Sequence, residues 1–370
     1  MKKRTLALIL AVMMCVGLLA ACGGDSSSEP ASTPAASTPA DSSAPADEST
    51  PDSTAGGEFA ATMITDVGGI NDESFNQSAW TGMEQLASEL GVNTSFIEST
   101  KDADYAPNLE KALDASNDII WGIGFMMKDA VAETAEANPD QLYALVDEYW
   151  EDGDLPNAIG VMFMAEQSSF LAGYAAGLKT ETDHVGLVLG MESPVMDRFT
   201  NGWNAGVLYA ANERGVDIRN DYVVAETFGD PAIGKAMAQK MYTDGADIVY
   251  SVAGYTGTGC IEAAKELDKW VIGVDMDQNK LAPDNVIASG LKNVGVGVYE
   301  VTKRVMNGEA LGGTTVWLGI SEGGAGLATT GGHLGSEIEG KVADVQALIA
   351  DGTIEVPYTA EMLHAFTAAS

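Results

Sequence analysis

From residue 58 onward, short apolar runs alternate along the chain with amphipathic runs of helical length. The apolar runs predict buried strands, and the amphipathic runs predict helices that cover them. Regular alternation of this kind is typical of a parallel sheet with helices on both faces. The first series starts with a strand and alternates as Phe59 to Ile64, Phe75 to Leu90, Val92 to Glu98, Tyr105 to Ala115, Asp118 to Ile123, Met127 to Ala137 and Gln141 to Val146.

A second series of the same kind follows, and each series has the size of one doubly wound domain. The sequence therefore predicts an α/β fold with two doubly wound parallel-sheet lobes. Two such sheets that face each other leave a cleft at the carboxyl ends of their strands, where open α/β sheets bind ligands. The second series also starts with a strand and alternates as His184 to Leu189, Arg198 to Arg214, Tyr222 to Glu226, Pro231 to Thr243, Ile248 to Val252, Gly259 to Leu267 and Trp270 to Val274.

The chain continues beyond the second series, and we expect it to cross back and finish the first lobe. Several crossing segments would form a hinge that permits closure around a ligand. The returning segments are Val286 to Ser289, the long helix Val294 to Met306 and the strand-like Thr315 to Leu318, and a helix over Glu337 to Asp351 closes the second lobe. The predicted N-terminal lobe is 58–164 plus 293–318, and the predicted C-terminal lobe is 165–292 plus 319–370.

The N-terminus has the pattern of a secretory signal. A basic head over residues 2–4 precedes an apolar run from Leu6 to Leu19, which is too short for a comfortable membrane span. Leu19-Ala20-Ala21-Cys22 resembles the bacterial lipoprotein signal, in which the Cys becomes the lipid-modified first residue. This predicts a signal peptide over 1–21 and a lipid anchor at Cys22 on the extracytoplasmic face of the cell membrane. The alternative is an ordinary secretory cut nearby, with Cys22 incidental.

Composition separates a tether from the folded part and limits the partners. Residues 22–57 are rich in Ser, Pro, Ala and acidic residues and contain no Lys or Arg, so they predict a disordered tether. The net charge is -35, and loss of the basic head makes it -38. Such a surface repels phosphate backbones, which argues against a nucleic-acid partner.

Cysteine and histidine usage argues against disulfides, metals and cofactors. After signal cleavage removes Cys15 and the lipid takes Cys22, Cys260 is left alone and no intrachain disulfide can form. The histidines lack the spacing of zinc ligands. They stand at His184, His333 and His364. We expect no cofactor, and a monomer is the default.

The stretch from Ile64 to Trp80 carries the richest local chemistry. It reads as a strand, a Gly-Gly loop and a helix start, with Asp66 at the carboxyl end of the strand. Asp72 or Ser74 can cap the helix, and the glycines let the backbone approach a ligand closely. Phe75 in the first helical turn can point into the cleft rather than the core.

Further motifs follow in a regular order, each of them weak by itself. They are Gly122 to Phe125, Asp129-Ala130, Ala144 to Asp147, Ser169 to Ala176, Phe228 to Pro231, Gly234-Lys235, Ala253 to Gly259, Ile272 to Gln278 and Ser289 to Asn293. Together with the first stretch, this order and spacing resembles the basic-membrane-protein family of lipoproteins, the purine-nucleoside receptors of bacterial ABC importers. The resemblance covers nearly all of residues 58 to 320. It implies a type I periplasmic-binding-protein fold, an ABC permease as partner, and guanosine, inosine or adenosine as ligand.

The resemblance also implies which residues bind. The family sandwiches the purine between two aromatic rings and holds its polar edges with carboxylates and a lysine. Phe75 and Phe228 match the stacking positions, and Gly254 matches the backbone approach to the sugar. The matches to the polar contacts are Asp66, Asp147, Asp275 and Lys292. At Asp147, Asp129 is an alternative match.

Elementary chemistry agrees with these positions. A base has two π faces, and stacking on an aromatic ring is worth about 1 to 3 kcal/mol per base. Carboxylates accept charge-assisted hydrogen bonds from ribose hydroxyls. Because Asp66, Asp147 and Asp275 each end a predicted strand, we expect them to converge on one cleft. Taken singly, the aromatics also fit core packing and the aspartates fit caps or turns.

Sequence features bear on two other classes of function. The G-x-S-x-G elbow is missing and no His is placed to serve a nucleophile, so an enzyme is not predicted. A nucleoside hydrolase remains the rival from the enzyme class, and a sugar or another small hydroxylated ligand is the second binding hypothesis. The stretch from Gly254 to Gly259 lacks the glycine order of a dinucleotide site and the ending of a P-loop.

Overall fold

The computed structural model describes residues 58–151 and 154–369. The predicted signal peptide over 1–21, the lipid anchor at Cys22 and the tether over 22–57 lie outside the described residues. Within the described part of the chain, no helix combines the length and the apolar character needed to cross a membrane.

Strands and helices alternate along the described residues. The strands are β1 (Ala60–Ile64), β2 (Asn93–Ile97), β3 (Ile119–Ile123), β4 (Leu142–Val146), β5 (Ala158–Phe163), β6 (His184–Leu189), β7 (Arg219–Val224), β8 (Ile248–Val252), β9 (Trp270–Asp275), β10 (Val286–Lys292), β11 (Thr315–Leu318) and β12 (Ala325–Ala328). The α-helices are α1 (Phe75–Leu90), α2 (Tyr105–Asp114), α3 (Lys128–Ala137), α4 (Ala165–Lys179), α5 (Pro194–Arg214), α6 (Pro231–Thr243), α7 (Gly254–Leu267), α8 (Val294–Met306), α9 (Ser336–Ala350) and α10 (Ala360–Ala369).

In the described residues these strands form two sheets of six, with the orders β11-β5-β4-β3-β1-β2 and β12-β10-β9-β8-β6-β7. The first sheet is parallel throughout. In the second sheet β12 runs antiparallel to β10, and the other pairs are parallel. This confirms the predicted fold of two doubly wound lobes. We call the first sheet with α1, α2, α3 and α8 the first lobe, and the second sheet with the other helices the second lobe.

Both faces of the second sheet are buried. Side chains alternate along a strand, so Tyr250 and Val252 of β8 pack in one apolar cluster and Val249 packs in another. Strands covered on both faces read as continuous apolar runs, which is why β8 was recognisable from sequence. The first lobe has its own apolar cluster, in which Trp121 Nε1 donates to Thr302 Oγ1 at 3.1 Å and so fastens α8 to β3.

The described chain crosses between the lobes after β5, after β10 and between β11 and β12. The crossing segments are hydrogen-bonded to one another. Met164 N donates to the Leu318 carbonyl at 2.9 Å, and Asn293 N donates to the Gly324 carbonyl at 2.9 Å. The hinge is therefore built from several segments, as predicted.

Two helices begin earlier than the sequence pattern predicts. Helix α5 starts at Pro194 and not at Arg198, because Ser193 accepts a hydrogen bond from a backbone amide of the first turn and Pro fits the first helical position. Helix α7 starts at Gly254 and not at Gly259. The glycine-rich stretch that resembled a loop is therefore helical.

Other differences concern strands. Strand β10 extends to Lys292 and pairs with β9 and β12, so the expectation that Val286 to Ser289 crosses back to the first lobe is wrong. Strand β7 starts at Arg219 and not at Tyr222. The elements β5, α4, β12 and α10 had not been assigned from sequence.

Candidate functional site

A cavity lies between the lobes, at the carboxyl ends of both sets of strands. The first lobe contributes residues that follow β1, β3 and β4 and the start of α1. The second lobe contributes the ends of β8, β9 and β10, the start of α5 and the loop before α6. The lining residues are Asp66, Gly68, Asp72, Phe75, Gly124, Phe125, Met126, Asp147, Met196, Phe199, Phe228, Val252, Ala253, Gly254, Tyr255, Val274, Asp275 and Lys292.

Every residue that the sequence singled out for ligand contact lies on the wall of this cavity. They are Asp66, Phe75, Asp147, Phe228, Gly254, Asp275 and Lys292. Asp129, the alternative to Asp147, is exposed in the first turn of α3 and is not on the wall. The structure thus brings the candidates together, and their contact with a ligand stays a prediction.

Asp66 follows β1 and is held in place by donors of its own lobe. Its Oδ1 accepts from Asn76 Nδ2 at 2.6 Å and from Gly68 N at 2.8 Å. Burial raises the pKa of Asp66 to about 6, and the nearby charges of Asp72 and Asp147 act in the same direction, whereas the two donors act against it. The carboxyl group is therefore fixed in position and can change its protonation state near neutral pH.

Asp72 organises the start of α1. Its carboxylate accepts from the backbone amides of Ser74, Asn76 and Gln77 at 2.9, 2.8 and 3.0 Å. Of the two predicted caps, Asp72 is the one that satisfies the first amides of the helix, and the side chain of Ser74 makes no capping bond. Phe75 therefore projects from a rigid base.

The ring of Phe75 contacts the ammonium group of Lys292, which belongs to the second lobe. Lys292 Nζ is 4.5 Å from the centroid of the Phe75 ring and 5.7 Å from the centroids of Phe163 and Phe199. An ammonium group over an aromatic face is attracted by the ring quadrupole. Lys292 thus occupies an aromatic cage to which both lobes contribute.

Phe228 lines the cavity from the second lobe, and Gly190 makes room for its ring. A Cβ at Gly190 would lie 2.2 Å from Phe228 Cε1, and a Cβ at Gly254 would lie 3.5 Å from Phe228 Cβ. Gly254 also has a φ of +54°, which favours glycine. Phe125 of the first lobe meets Phe228 edge to face, with ring centroids 6.4 Å apart.

A buried ion pair links the two lobes across the cavity. Lys292 Nζ contacts Asp147 Oδ2, and the side chains are 3% and 5% exposed. Asp147 Oδ1 is buried and has no hydrogen-bond partner among the described residues. A buried acceptor without a donor is costly, so this oxygen is suited to accept a hydrogen bond from a bound molecule.

Asp275 joins the lobes at a second point, because Ser74 Oγ of the first lobe donates to its Oδ2. Burial raises the pKa of Asp275 to about 7, while the charge of Lys292 and the Ser74 hydroxyl lower it. This carboxyl group also titrates near neutral pH.

Both Asp147 and Asp275 adopt a strained backbone conformation. Their φ angles are +68° and +65°, in the left-handed region that most residues avoid. Each stands at the carboxyl end of its strand, one in each lobe. Strain of this kind persists where the surrounding structure holds a residue in position, and it clusters at binding sites.

Charge restricts what the cavity can hold. Carboxyl groups outnumber ammonium groups on its wall, and Asp66, Asp72, Asp147 and Asp275 are all buried. A bound phosphate would meet like charges in a medium of low dielectric constant, whereas hydroxyl and N–H donors would meet acceptors. The site suits an uncharged molecule that carries several donors.

Several lining residues were not assigned to the site from sequence. Phe125 belongs to the motif Gly122 to Phe125, and its position two residues after the end of β3 was a usable signal. Met196 and Phe199 belong to α5, whose cavity side cannot be told from its core side by periodicity alone.

Two parallel-sheet lobes, a hinge of several segments and a cavity between the lobes define a two-lobed solute-binding protein. Comparison with known proteins then gives the family. The profile of the Bmp family, described as ABC transporter substrate-binding protein PnrA-like, matches residues 59–360. The chain belongs to this family, which confirms the resemblance of its motifs. The family comprises substrate-binding proteins of ABC transporters.

Individual relatives support the same family assignment. The chain is 36% identical over 321 residues to the ABC transporter nucleoside-binding protein BmpA of Lactococcus lactis subsp. cremoris, with 81% of this chain and 89% of that one covered. It is 36% identical over 302 residues to Basic membrane protein D of Borreliella burgdorferi, with 80% and 87% covered. The crystal structure of ABC transporter system solute-binding proteins from Aeropyrum pernix K1 aligns with a TM-score of 0.73 at 28% identity, over 83% of this chain and 96% of that chain.

Proposed function

We propose that this protein binds a purine nucleoside between its lobes and delivers it to an ABC permease. The observation that carries the proposal is the shared cavity, on which an aromatic ring from each lobe and carboxylates at the strand ends of both lobes converge. The nucleoside-binding relative in Lactococcus lactis supports the same ligand class.

In this proposal the base stacks between Phe75 and Phe228. The two rings come from opposite lobes, so both faces of the base become covered only when the lobes close. Each stacking contact is worth about 1 to 3 kcal/mol, which makes binding and closure favour each other. Gly124 and Gly254 lie beside the two rings, since a Cβ at Gly124 would lie 3.5 Å from Phe75 Cε1 and a Cβ at Gly254 would lie 3.5 Å from Phe228 Cβ.

The carboxylates and Lys292 hold the polar edges of the nucleoside. Asp275 accepts from the vicinal ribose hydroxyls, because charge-assisted hydrogen bonds are about twice as strong as neutral ones. Asp66 and Asp147 accept from donors of the base or sugar, and Asp147 Oδ1 is the acceptor that lacks a protein donor among the described residues. Gly254 lets the backbone approach the sugar.

The remaining parts of the proposal rest on the sequence. The signal pattern before Cys22 supports a lipid anchor that holds the protein at the extracytoplasmic face of the cell membrane, on a tether over residues 22–57. We propose 58–164 plus 293–318 and 165–292 plus 319–370 as the moving bodies, and a monomer as the functional unit.

A thermal-shift screen of inosine, guanosine and adenosine against pentoses and hexoses tests the proposal. A bound ligand raises the melting temperature by mass action, so nucleosides should raise it in a concentration-dependent manner and free sugars should not. A shift with sugars alone would overturn the purine assignment. Chromatography of the incubated nucleoside separates the rival enzyme class, because a hydrolase would release free base and a binding protein would return the nucleoside intact.

A further inference from the structure

A second set of contacts joins the lobes beside the cavity, outside the wall that lines it. The backbone and side chain of Glu73, in the loop directly before Phe75, reach residues that follow β9 in the second lobe. Gln278 Nε2 donates to the Glu73 carbonyl at 2.8 Å, and Lys280 Nζ lies 2.5 Å from Glu73 Oε2. Because Glu73, Gln278 and Lys280 do not line the cavity, these contacts join protein to protein only.

Gln278 is fixed in the second lobe before it reaches the first. Its side chain is buried, its Oε1 accepts from Val274 N at 2.9 Å, and its own backbone N donates to Ser289 Oγ at 3.1 Å. The residue is therefore held at β9 through its side chain and at β10 through its backbone, and its side-chain Nε2 donates to the first lobe.

Glu73 is held in a conformation that needs support. Its φ is +54°, which is unfavourable for a residue with a side chain. Strain of this size persists only where neighbouring contacts maintain it. The hydrogen bond from Gln278 to the Glu73 carbonyl and the ion pair with Lys280 are contacts of that kind.

Movement of Glu73 would displace the ring of Phe75. Asp72 binds the amides of Ser74 and Gln77, so the loop and the first turn of α1 form one rigid piece. Phe75 belongs to this piece. A change in how Glu73 docks on the second lobe therefore changes where the Phe75 ring sits.

We propose that Gln278 and Lys280 are positioning residues, which act through Glu73 to hold Phe75 in the closed geometry and to slow ligand release. The ligand in this inference rests on the proposed function, whereas the interlobe contact itself does not. Gln278 and Lys280 differ in their exposure to solvent. Gln278 is buried, while the Lys280 side chain is 53% exposed, so its pairing with Glu73 Oε2, which is itself buried, is partly open to screening by salt.

Two variants separate the contributions. Gln278→Glu keeps the acceptor for Val274 N and replaces the donor with a carboxylate that faces the Glu73 carbonyl. Lys280→Gln removes the ion pair at a half-exposed position. Lys280→Arg is the conservative rescue. Lys240→Gln is the matched control, because Lys240 pairs with Asp244 within one helical turn of the second lobe and spans no interface.

The first measurement is the dissociation rate of inosine by surface plasmon resonance. Gln278→Glu should release inosine about 2- to 12-fold faster, the range expected for loss of one hydrogen bond, and Lys280→Gln about 1.5- to 5-fold faster, the range expected for loss of a partly exposed ion pair, with association rates changed less than about twofold. Lys280→Arg and Lys240→Gln should behave as wild type. In high salt the effect of Lys280→Gln should shrink and that of Gln278→Glu should not. Wild-type dissociation rates in both test variants would overturn the proposal.

The second measurement uses no nucleoside. Small-angle scattering of the protein alone should show a larger radius of gyration for Gln278→Glu and Lys280→Gln than for wild type and Lys240→Gln, because loss of the contacts favours the open form. An unchanged radius in both would overturn the proposal. If inosine does not bind at all, the proposed function fails, and the scattering result still decides whether these residues hold the lobes together.

Discussion

The buried ion pair between Lys292 and Asp147 gives a quantitative test of the cavity. The perturbation is Lys292→Met, which keeps an unbranched apolar side chain and removes the ammonium group. Because the two side chains are 3% and 5% exposed, the Asp147 carboxylate would stay buried without its cation. Breaking a buried pair in this way costs about 3 to 5 kcal/mol, whereas an exposed pair contributes about 0 to 1 kcal/mol.

Thermal unfolding measures the loss. For a folded part of about 310 residues the entropy of unfolding is about 0.65 kcal/mol/K, so each kcal/mol lowers the melting temperature by about 1.5 °C and Lys292→Met should lower it by roughly 5 to 8 °C. The double variant with Asp147→Asn should recover most of the loss, because no charge is then left unpaired. The control is Lys240→Met, since Lys240 and Asp244 form a pair whose side chains are 74% and 41% exposed. Its melting temperature should stay close to that of wild type.

The same variant reports on Asp275. The charge of Lys292 lowers the pKa of Asp275, which burial raises to about 7, so removal of that charge should raise the pKa further. Inosine affinity measured by calorimetry should then reach its plateau at a higher pH than in wild type. A melting temperature no lower than that of Lys240→Met, or a double variant as unstable as the single one, would refute the reasoning.

Three further outcomes follow from the site. Phe75→Ala and Phe228→Ala should each weaken inosine binding by about 1 to 3 kcal/mol in calorimetry, and wild-type affinity in both would refute stacking. Gly190→Ala should weaken inosine binding by a larger free energy than it lowers the free energy of unfolding, because its Cβ would lie 2.2 Å from Phe228 Cε1. An unchanged affinity would show that Gly190 is not needed to place Phe228. Without ligand, the free energy of unfolding in denaturant titrations should fall as pH rises from about 4 to about 7, by up to about 1.4 kcal/mol per pH unit for each carboxyl group. The sign follows because the pKa values of Asp66 and Asp275 are raised to about 6 and about 7, so the folded state keeps protons that the unfolded state has released; a slope equal to that of the Asp66→Asn, Asp275→Asn double variant would contradict it.

Much of the fold could be predicted because the strands are buried on both faces and the helices between them are amphipathic. Helix α1 illustrates this, since its bounds Phe75–Leu90 agree with the prediction and it ends at Gly91 in the left-handed conformation. Helix α4 was missed for the opposite reason. It is buried on nearly all sides between α5 and the second sheet, so it has no polar stripe to reveal its period.

Glycines that allow close helix packing were misleading, because glycine-rich sequence usually indicates a loop or turn. The stretch from Gly254 to Gly259 was compared with a nucleotide loop, yet it forms the first turns of α7. A Cβ at Gly259 would lie 1.8 Å from the Pro231 carbonyl oxygen, and a Cβ at Gly234 would lie 2.1 Å from the Thr256 carbonyl oxygen. These glycines let α6 and α7 pack closely, which is a tertiary requirement that local sequence does not express.

Some parts of the candidate site could be predicted from sequence and others could not. Asp66, Asp147 and Asp275 could be predicted as site residues because each ends a strand, and the carboxyl ends of parallel strands meet at one edge of a sheet. The pairing of Lys292 with Asp147 joins two lobes and depends on how closely they approach, which no local pattern encodes. For the same reason the Glu73 contacts with Gln278 and Lys280 were not foreseen.

A crystal structure of the inosine complex would show whether rings from opposite lobes enclose one heterocycle. We expect the hypoxanthine ring between Phe75 and Phe228, with the ribose hydroxyls within hydrogen-bond distance of the Asp275 carboxylate. A complex in which inosine lies elsewhere, with the two rings packed in the separate apolar interiors of their lobes, would contradict it.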